Sequence, residues 1–354
     1  MIVPSFASLF FPPYLISLFV SFLATTVAIR IAWKLGLVDN PKIHKHPKVI
    51  HTYPVPRGGG LPIFAALCVG MFLFLSHDVR TAGILIGAVF TLAIGLADDK
   101  WDINPYVRVV TNLLTALPLI FSGITLAYIT NPFGGILNFS WWQAAILTAL
   151  WVGGMMNFLG QGAGGVEGQH PGVVTIAAVT LGILAARYIG DPTQWPVIIL
   201  AGIIAGAYSG FLPWNFYPQK MMPGYSGKSL AGYLLAVVSI LAVAKVQTLL
   251  MVLAVPMADV GWSWIRRVVS GRSPVWGDRG HLHHKLLDWG WGKRRIAVFY
   301  WLITAISGVL ALGLNSKQKF YTLVAAFLII GAVVLWLSFW TSSKASDRGN
   351  GLKT

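Results

Sequence analysis

The chain has 354 residues, of which 56% are hydrophobic and only 10% charged, and its formal net charge is +15. A water-soluble domain of this length cannot hide so much apolar surface, which excludes a soluble enzyme or binding module. Such a positive charge would suit a nucleic-acid binder, but in a membrane protein basic residues gather in cytoplasmic loops, so no nucleic-acid partner is expected.

Apolar runs of about 20 residues, the length that crosses a hydrocarbon core, recur along the chain. They predict eleven helices near 13–33, 60–77, 81–97, 107–126, 141–159, 172–189, 195–213, 229–244, 247–266, 296–314 and 320–341. The run from 229 to 266 is the hardest to divide, and the division is placed near Lys245. The first basic residue is Arg30, so the first stretch lacks a positive leader and reads as a retained helix. The lone cysteine, Cys68, lies in an apolar run and implies no disulfide. The expected architecture is an all-α polytopic membrane protein of ten to eleven spans. Residues 1–342 form one membrane domain and 343–354 a short polar tail.

Basic residues orient this threading. With the N-terminus outside, only Arg80, Arg187, Lys245, Lys317 and Lys319 fall on the outer side, and nearly all the rest fall on the cytoplasmic side. Every polar stretch with unusual chemistry then lies on the cytoplasmic face of the cell membrane: 35–59, 98–106, 160–171, 214–228 and 267–295.

These stretches carry the candidate chemistry. In "HTYPVPRGGGLP", His51 and Arg57 precede a glycine turn that opens a helix. In "GLADDKWD", three of the chain's eleven acids cluster at a helix end. Asp98 and Asp102 share a helical face there, and Asp99 points about 100° away from Asp98. Adjacent carboxylates repel and want a cation, and Mg²⁺ held by one or two carboxylates plus substrate phosphates fits. "MMNFLGQGAGGVEGQHPGVV" holds Glu167, the chain's only glutamate, in a glycine run, where it reads as another carboxylate facing Asp98 and Asp99 or as an exposed residue before a helix. Asn215 and Lys220 lie between a helix end and "GYSGKS", whose Lys228 enters the next helix with backbone N–H groups suited to phosphate. In "PVWGDRGHLHHKLLDWGWGKRR", Arg279 precedes His281, His283 and His284. His-x-His spacing can chelate a metal, and Arg with imidazole N–H groups can equally hold phosphate.

Taken in order, "GLVDNP", "HTYPVPRGGGLP", "ADDKWDINPYVRVVTN", "GFLPWNFYP" and "DRGHLHHKLL" resemble the polyprenyl-phosphate N-acetylhexosamine-1-phosphate transferase family, from Gly36 to about Arg294. The resemblance implies ten or eleven membrane helices with a cytoplasmic active site. It also implies transfer of a sugar-1-phosphate from a UDP-sugar to polyprenyl phosphate, assisted by Mg²⁺ or Mn²⁺, which would start a cell-wall or surface-glycan precursor. Asp98 and Asp99 match the family's aspartate pair, which is implicated in metal or lipid-phosphate binding. Arg108 and Asn112 match a basic residue and an amide four positions later, and the three histidines match the motif that contacts the nucleotide sugar. The form "DRGHLHH" looks more like the N-acetylglucosamine branch than the muramoyl-pentapeptide branch.

Two segments depart from the family pattern. The family's loop Asn-x-x-Asp-Gly-x-Asp-Gly becomes "NFLGQGAG" in one register, with Gly160 and Ala163 at the aspartates, or "QGAGGVEG" in another, with Gly164 and Glu167 there. The family's Met-Gly-Asp-[Ser/Thr]-Gly-Ser becomes "PGYSGK", which puts Tyr225 at an aspartate and Lys228 at the final serine. The expected catalytic residues are thus Asp98 and Asp99, with Glu167 completing the metal set. His51, Arg57, Arg108, Asn215, Lys220, Lys228, Arg279, His281, His283 and His284 are expected to bind substrate. A relative that binds lipid phosphate or nucleotide sugar without turnover is the alternative, an unrelated transporter is a remoter one, and a homodimer is left open. Asp259 is the only acid well inside an apolar run, the feature that keeps a transporter in view.

Overall fold

The computed structural model describes residues 3–43, 51–242, 245–273 and 280–350. Arg279 therefore lies outside the described residues. The chain order is α1 (Phe6–Leu35), β1 (Val38–Asp39), β2 (Val55–Pro56), α2 (Gly60–Phe74), α3 (Val79–Trp101), α4 (Pro105–Leu114) and α5 (Leu117–Phe121). There follow β3 (Tyr128–Thr130), β4 (Ile136–Asn138), α6 (Trp141–Gly162), α7 (Gln169–Ala186), α8 (Trp195–Asn215) and α9 (Gly224–Leu241). The chain continues through α10 (Lys245–Val252), α11 (Ala254–Val269), α12 (Leu282–Asp288), α13 (Lys293–Gly313) and α14 (Ser316–Asn350).

Among the described residues, eight helices are long and apolar enough to cross a membrane: α1, α3, α6, α7, α8 (with the turn before it), α9, α13 and α14. The pair α10–α11 makes a ninth span if taken as one, and α2 and α4–α5 are shorter apolar segments. A helix thus stands at each of the eleven expected places, and the protein is an all-α, multi-pass membrane protein. The strands are confined to two small antiparallel pairs, β1–β2 and β3–β4.

Three segments differ from their expected form. The run expected at 107–126 breaks into α4 and α5 and ends at Phe121, where the chain turns through Gly123 at φ 81°. The run expected at 247–266 is bent by 85° between α10 and α11. Pro256, in the first turn of α11, has no N–H to donate back across the junction, so the break falls where continuity costs least. Helix α9 begins at Gly224, five residues before its expected start, because Lys228 interrupts the apolar pattern without interrupting the helix.

Helices α7, α8 and α9 are the most buried spans, while α1 and α14 lie at the periphery with much of their surface outward. Phe11, Leu15, Phe19, Leu23 and Val27 on α1 are exposed, as a lipid-facing stripe requires. The opposite side of α1 packs on α8 through Gly202, Gly206 and Gly210, one residue per turn. A Cβ at these positions would sit 2.7, 2.1 and 2.2 Å from backbone oxygens of Phe10, Tyr14 and Leu18. Small residues at this spacing let two backbones meet where apolar burial alone gives no drive for association. Gly206→Val is expected to lower the unfolding midpoint in detergent, by about 1–3 kcal/mol of overpacking. Gly190→Ala, which opens on empty space, should melt like the parent protein.

Candidate active site

The site is organised by the first turn of α9. Asp99, buried at the end of α3, accepts the N–H of Tyr225 (2.6 Å), the N–H of Ser226 (3.3 Å) and the Ser226 hydroxyl (2.6 Å). A carboxylate here satisfies donors that have no partner within the helix and opposes the positive end of its dipole. Such an approach needs small neighbours. A Cβ at Gly95 would lie 2.3 Å from Ser226 Cα, and one at Gly60 would lie 2.7 Å from Ser226 Cβ. The N–H of Gly60 donates to Ser226 Oγ (3.2 Å), which joins the start of α2 to the same point. The N-terminus of α9, expected as a phosphate seat, is therefore capped by Asp99.

The neighbouring acids have other partners. Asp98 accepts from Arg108 Nη1 at 3.1 and 3.2 Å. Asp102 accepts from Arg57 Nη1 at 3.0 Å, and Asp39 accepts from Arg57 Nη2 at 2.8 Å, which pins the β1–β2 segment to the end of α3. His51 lies 3.9 Å from Asp39, and its burial lowers its pKa against the pull of that carboxylate. Mutual repulsion among Asp98, Asp99 and Asp102 is thus relieved by three separate partners.

Arg108 and Asn112 share one face of α4, and Tyr225 and Lys228 share one face of α9. The Arg108 guanidinium lies 5.0 Å over the Tyr225 ring, and Asn112 Nδ2 donates to the Tyr225 hydroxyl at 2.7 Å. Only Nη1 of Arg108 is taken by Asp98, so among the described residues Nε and Nη2 have no protein partner. Asn112 Oδ1 is buried and also lacks one. This leaves a forked donor on Arg108 and a buried amide oxygen on Asn112.

Lys228 donates from Nζ to the carbonyl of Gly164 at 2.9 Å. That glycine belongs to the loop between α6 and α7. Gln169 folds the loop on itself: Oε1 accepts the N–H groups of Gly165 and Val166, and Nε2 donates to Gly162 O. Glu167 pairs with Lys293 at 2.7 Å, at the start of α13. Its second oxygen, Oε2, is buried without a partner among the described residues. Asn215 accepts the Gly168 N–H (3.0 Å) and donates to Gln219 and Met221, so it holds the turn that follows α8.

The same loop meets the histidines. The His283 ring packs on Gly165 so closely that a Cβ there would lie 2.1 Å from it. His281 and His283 stack with centroids 5.5 Å apart, and His283 and His284 lie 4.4 Å apart. His281 Nδ1 is 3.0 Å from Asp259 Oδ2, and its Nε2 is 3.3 Å from Arg267 Nη2. The other oxygen of Asp259 accepts the Leu282 N–H at 2.7 Å. A carboxylate on one side and a guanidinium on the other select the Nδ1–H tautomer. Asp259 was not among the expected site residues. Its signal was a lone acid inside an apolar run.

The expected metal set of Asp98, Asp99 and Glu167 is corrected by this geometry. Among the described residues no three His, Cys, Asp or Glu side chains converge to hold a metal ion. Asp99 is used by α9, Asp98 by Arg108 and Glu167 by Lys293, and Tyr225 offers a phenol where the family pattern has an anionic oxygen. Mg²⁺ demands near-octahedral oxygen ligands at about 2.0–2.1 Å, and this donor set does not fit it. The chelating reading of His-x-His-His fails as well, because both nitrogens of His281 are engaged. Lys220, expected at the substrate, instead lies exposed with its ammonium 5.4 Å over Trp214, in a cleft that Arg30 also lines.

What the structure brings together is a continuous polar row. It runs from Asp98 through Arg108, Tyr225 and Asn112, then Lys228 and the glycine loop, to His283, His281, Asp259 and Arg267. The model of glycosyl transferase family 4 matches residues 81–243. The "Probable undecaprenyl-phosphate N-acetylglucosaminyl 1-phosphate transferase" of Bacillus subtilis is 28% identical over 324 residues, which cover 90% of this chain and 88% of that one. The decaprenyl-phosphate N-acetylglucosaminephosphotransferase of Mycobacterium tuberculosis is 29% identical over 351 residues, covering 89% and 84%. The undecaprenyl-phosphate alpha-N-acetylglucosaminyl 1-phosphate transferase of Yersinia pestis is 26% identical over 312 residues, covering 81% and 78%. A family match across α3 to α9, with relatives aligned along nearly the whole chain, agrees with the order of motifs and with the helical architecture: over this span the chain is similar to glycosyl transferase family 4.

Proposed function

We propose that the protein transfers N-acetylglucosamine 1-phosphate, or a closely related N-acetylhexosamine 1-phosphate, from its UDP-sugar to a polyprenyl phosphate. A phosphate oxygen of the lipid attacks the sugar-bearing phosphorus. The bond from that phosphorus to the bridging oxygen breaks, and UMP leaves with that oxygen. The product is a polyprenyl-diphospho-sugar, the first lipid-linked unit of a cell-wall or surface glycan. Each relative named above is a transferase of this kind, which gives the binding-only alternative no support. The bias of basic residues supports a cytoplasmic placement of the polar row, on the face where a nucleotide sugar would arrive.

The row of cations backed by acids carries this reading. The lipid phosphate has a second pKa of about 6, so it is already mostly the nucleophilic dianion near neutral pH and needs no strong base. The reaction instead asks for positioning and charge neutralisation. Asp98 holds Arg108 by one nitrogen and leaves its fork for a phosphate oxygen pair. Lys228 adds a point charge one turn along α9. At the far end of the row, His281 is set by Asp259 and Arg267, and His283, stacked on His281 and with His284 beside it, packs on the glycine loop where the nucleotide sugar would lie. Phosphoryl transfer generally draws on Mg²⁺, which supplies charge neutralisation at the phosphates. The donor set present does not form its seat.

Two outcomes follow. Arg108→Ala should lower formation of the lipid-linked product from UDP-N-acetylglucosamine and polyprenyl phosphate by about 10²–10³-fold, the loss typical of one preorganised donor. Arg108→Lys should recover little, since it keeps the charge but loses the fork. Full activity of either variant would remove Arg108 from the reaction. Glu167→Gln should lower stability in denaturant by up to about 3 kcal/mol, because it leaves a largely buried ammonium short of its counter-charge. Glu167→Gln with Lys293→Met should then stand closer to the parent protein. Unchanged stability together with a higher half-saturating Mg²⁺ concentration would instead return Glu167 to a metal.

A further inference from the structure

On the flank of the bundle, at the same end as the polar row, a cleft of about 510 Å³ opens between α1 and the segments 53–56 and 214–220. Arg30, Trp33, Tyr53, Trp214 and Lys220 are among the residues that line it, and none of its lining residues is acidic. Arg30 and Lys220 are exposed, and among the described residues neither side chain makes an ion pair or hydrogen bond. The indole N–H of Trp214 is buried and has no acceptor among them. The cleft therefore presents two cations with no anion to meet them. Its wall reaches the lipid: Phe22 packs on the Trp214 ring at 5.3 Å, and Phe19, Leu23 and Val27 lead away from Arg30 along the exposed side of α1. Arg30 lies one to two turns from the end of a span that closes at Leu35, the depth at which headgroups lie.

We infer that this cleft binds the phosphodiester headgroup of an anionic membrane phospholipid, with Arg30 and Lys220 on the phosphate, Trp214 in the wall beneath it and the acyl chains along α1. A soluble anion would meet only half of this surface, since the apolar stripe begins where the cations end. The cleft shares no residue with the row from Asp98 to Arg267, so the site does not depend on the proposed transfer reaction. Through the segment 214–220 it adjoins the turn that leads into α9, which gives a bound lipid a physical route to the position of Tyr225.

The test is native mass spectrometry of the full-length protein titrated with a phosphatidylglycerol and with a phosphatidylcholine of the same chains. The parent protein should retain phosphatidylglycerol preferentially. Arg30→Gln and Lys220→Gln should each cut that preference by about fivefold, the weight of one cation near a headgroup, and the double variant should abolish it. Trp214→Phe, which removes only the donor and its ring contacts, should weaken retention of both lipids. Comparing two lipids on one preparation separates a lost site from a lost fold. Unchanged preference in the double variant overturns the proposal. So does displacement of phosphatidylglycerol by inorganic phosphate, which would make the cleft a soluble-anion site. Displacement by polyprenyl phosphate at equal concentration overturns it too, because the cleft would then belong to the acceptor.

Discussion

Asp99 and the first turn of α9 form the contact on which the rest of the active face depends. A buried carboxylate would be costly alone, and a buried helix N-terminus would leave N–H groups unsatisfied. Each removes the other's penalty. The contact requires α2, α3 and α9 to meet at Ser226, and Gly60 and Gly95 are the residues that allow it. Once α9 starts there, Tyr225 must stand under Arg108, and Lys228 must reach the glycine loop. The arrangement of the site is therefore a consequence of one charge-to-helix contact made at close range.

The same economy governs the other acids. The chain has eleven acidic residues against 26 Lys and Arg, and on this face each described acid with a defined partner fixes the direction of another group. Asp98 aims Arg108, Asp39 and Asp102 share Arg57, Glu167 holds Lys293, and Asp259 sets His281. The acids act as positioning residues for the cations and the imidazole they meet. This is the arrangement a protein needs when both substrates carry phosphate and the gain comes from preorganised charge.

Much of this was legible in the sequence because it is local. The apolar runs announced the helices, the order of short motifs announced the family likeness, and the division at Lys245 agrees with α10 beginning there. What escaped was long-range. Nothing near Glu167 points to Lys293, 126 positions away, and a glycine run with one acid reads equally well as a metal loop. Asp259 showed itself only as an acid out of place, and its partner His281 lies 22 positions further along the chain. The start of α9 was hidden because Lys228 and two serines look like a loop until tertiary contacts satisfy them. The bend before Pro256 was written in the sequence, but an apolar run long enough to span masks a break that costs it few hydrogen bonds.

The central claim is that Asp99 serves the N-terminus of α9 and does not hold a metal ion. Asp99→Asn keeps the shape but turns a donor toward a donor. Two quantities measured on parent and variant decide the matter: hydrogen exchange of the segment 224–229 and Mn²⁺ binding by electron paramagnetic resonance. The account predicts faster exchange at Tyr225 and Ser226 in the variant and the same Mn²⁺ binding in both proteins. Unchanged protection with Mn²⁺ binding lost in the variant would contradict it.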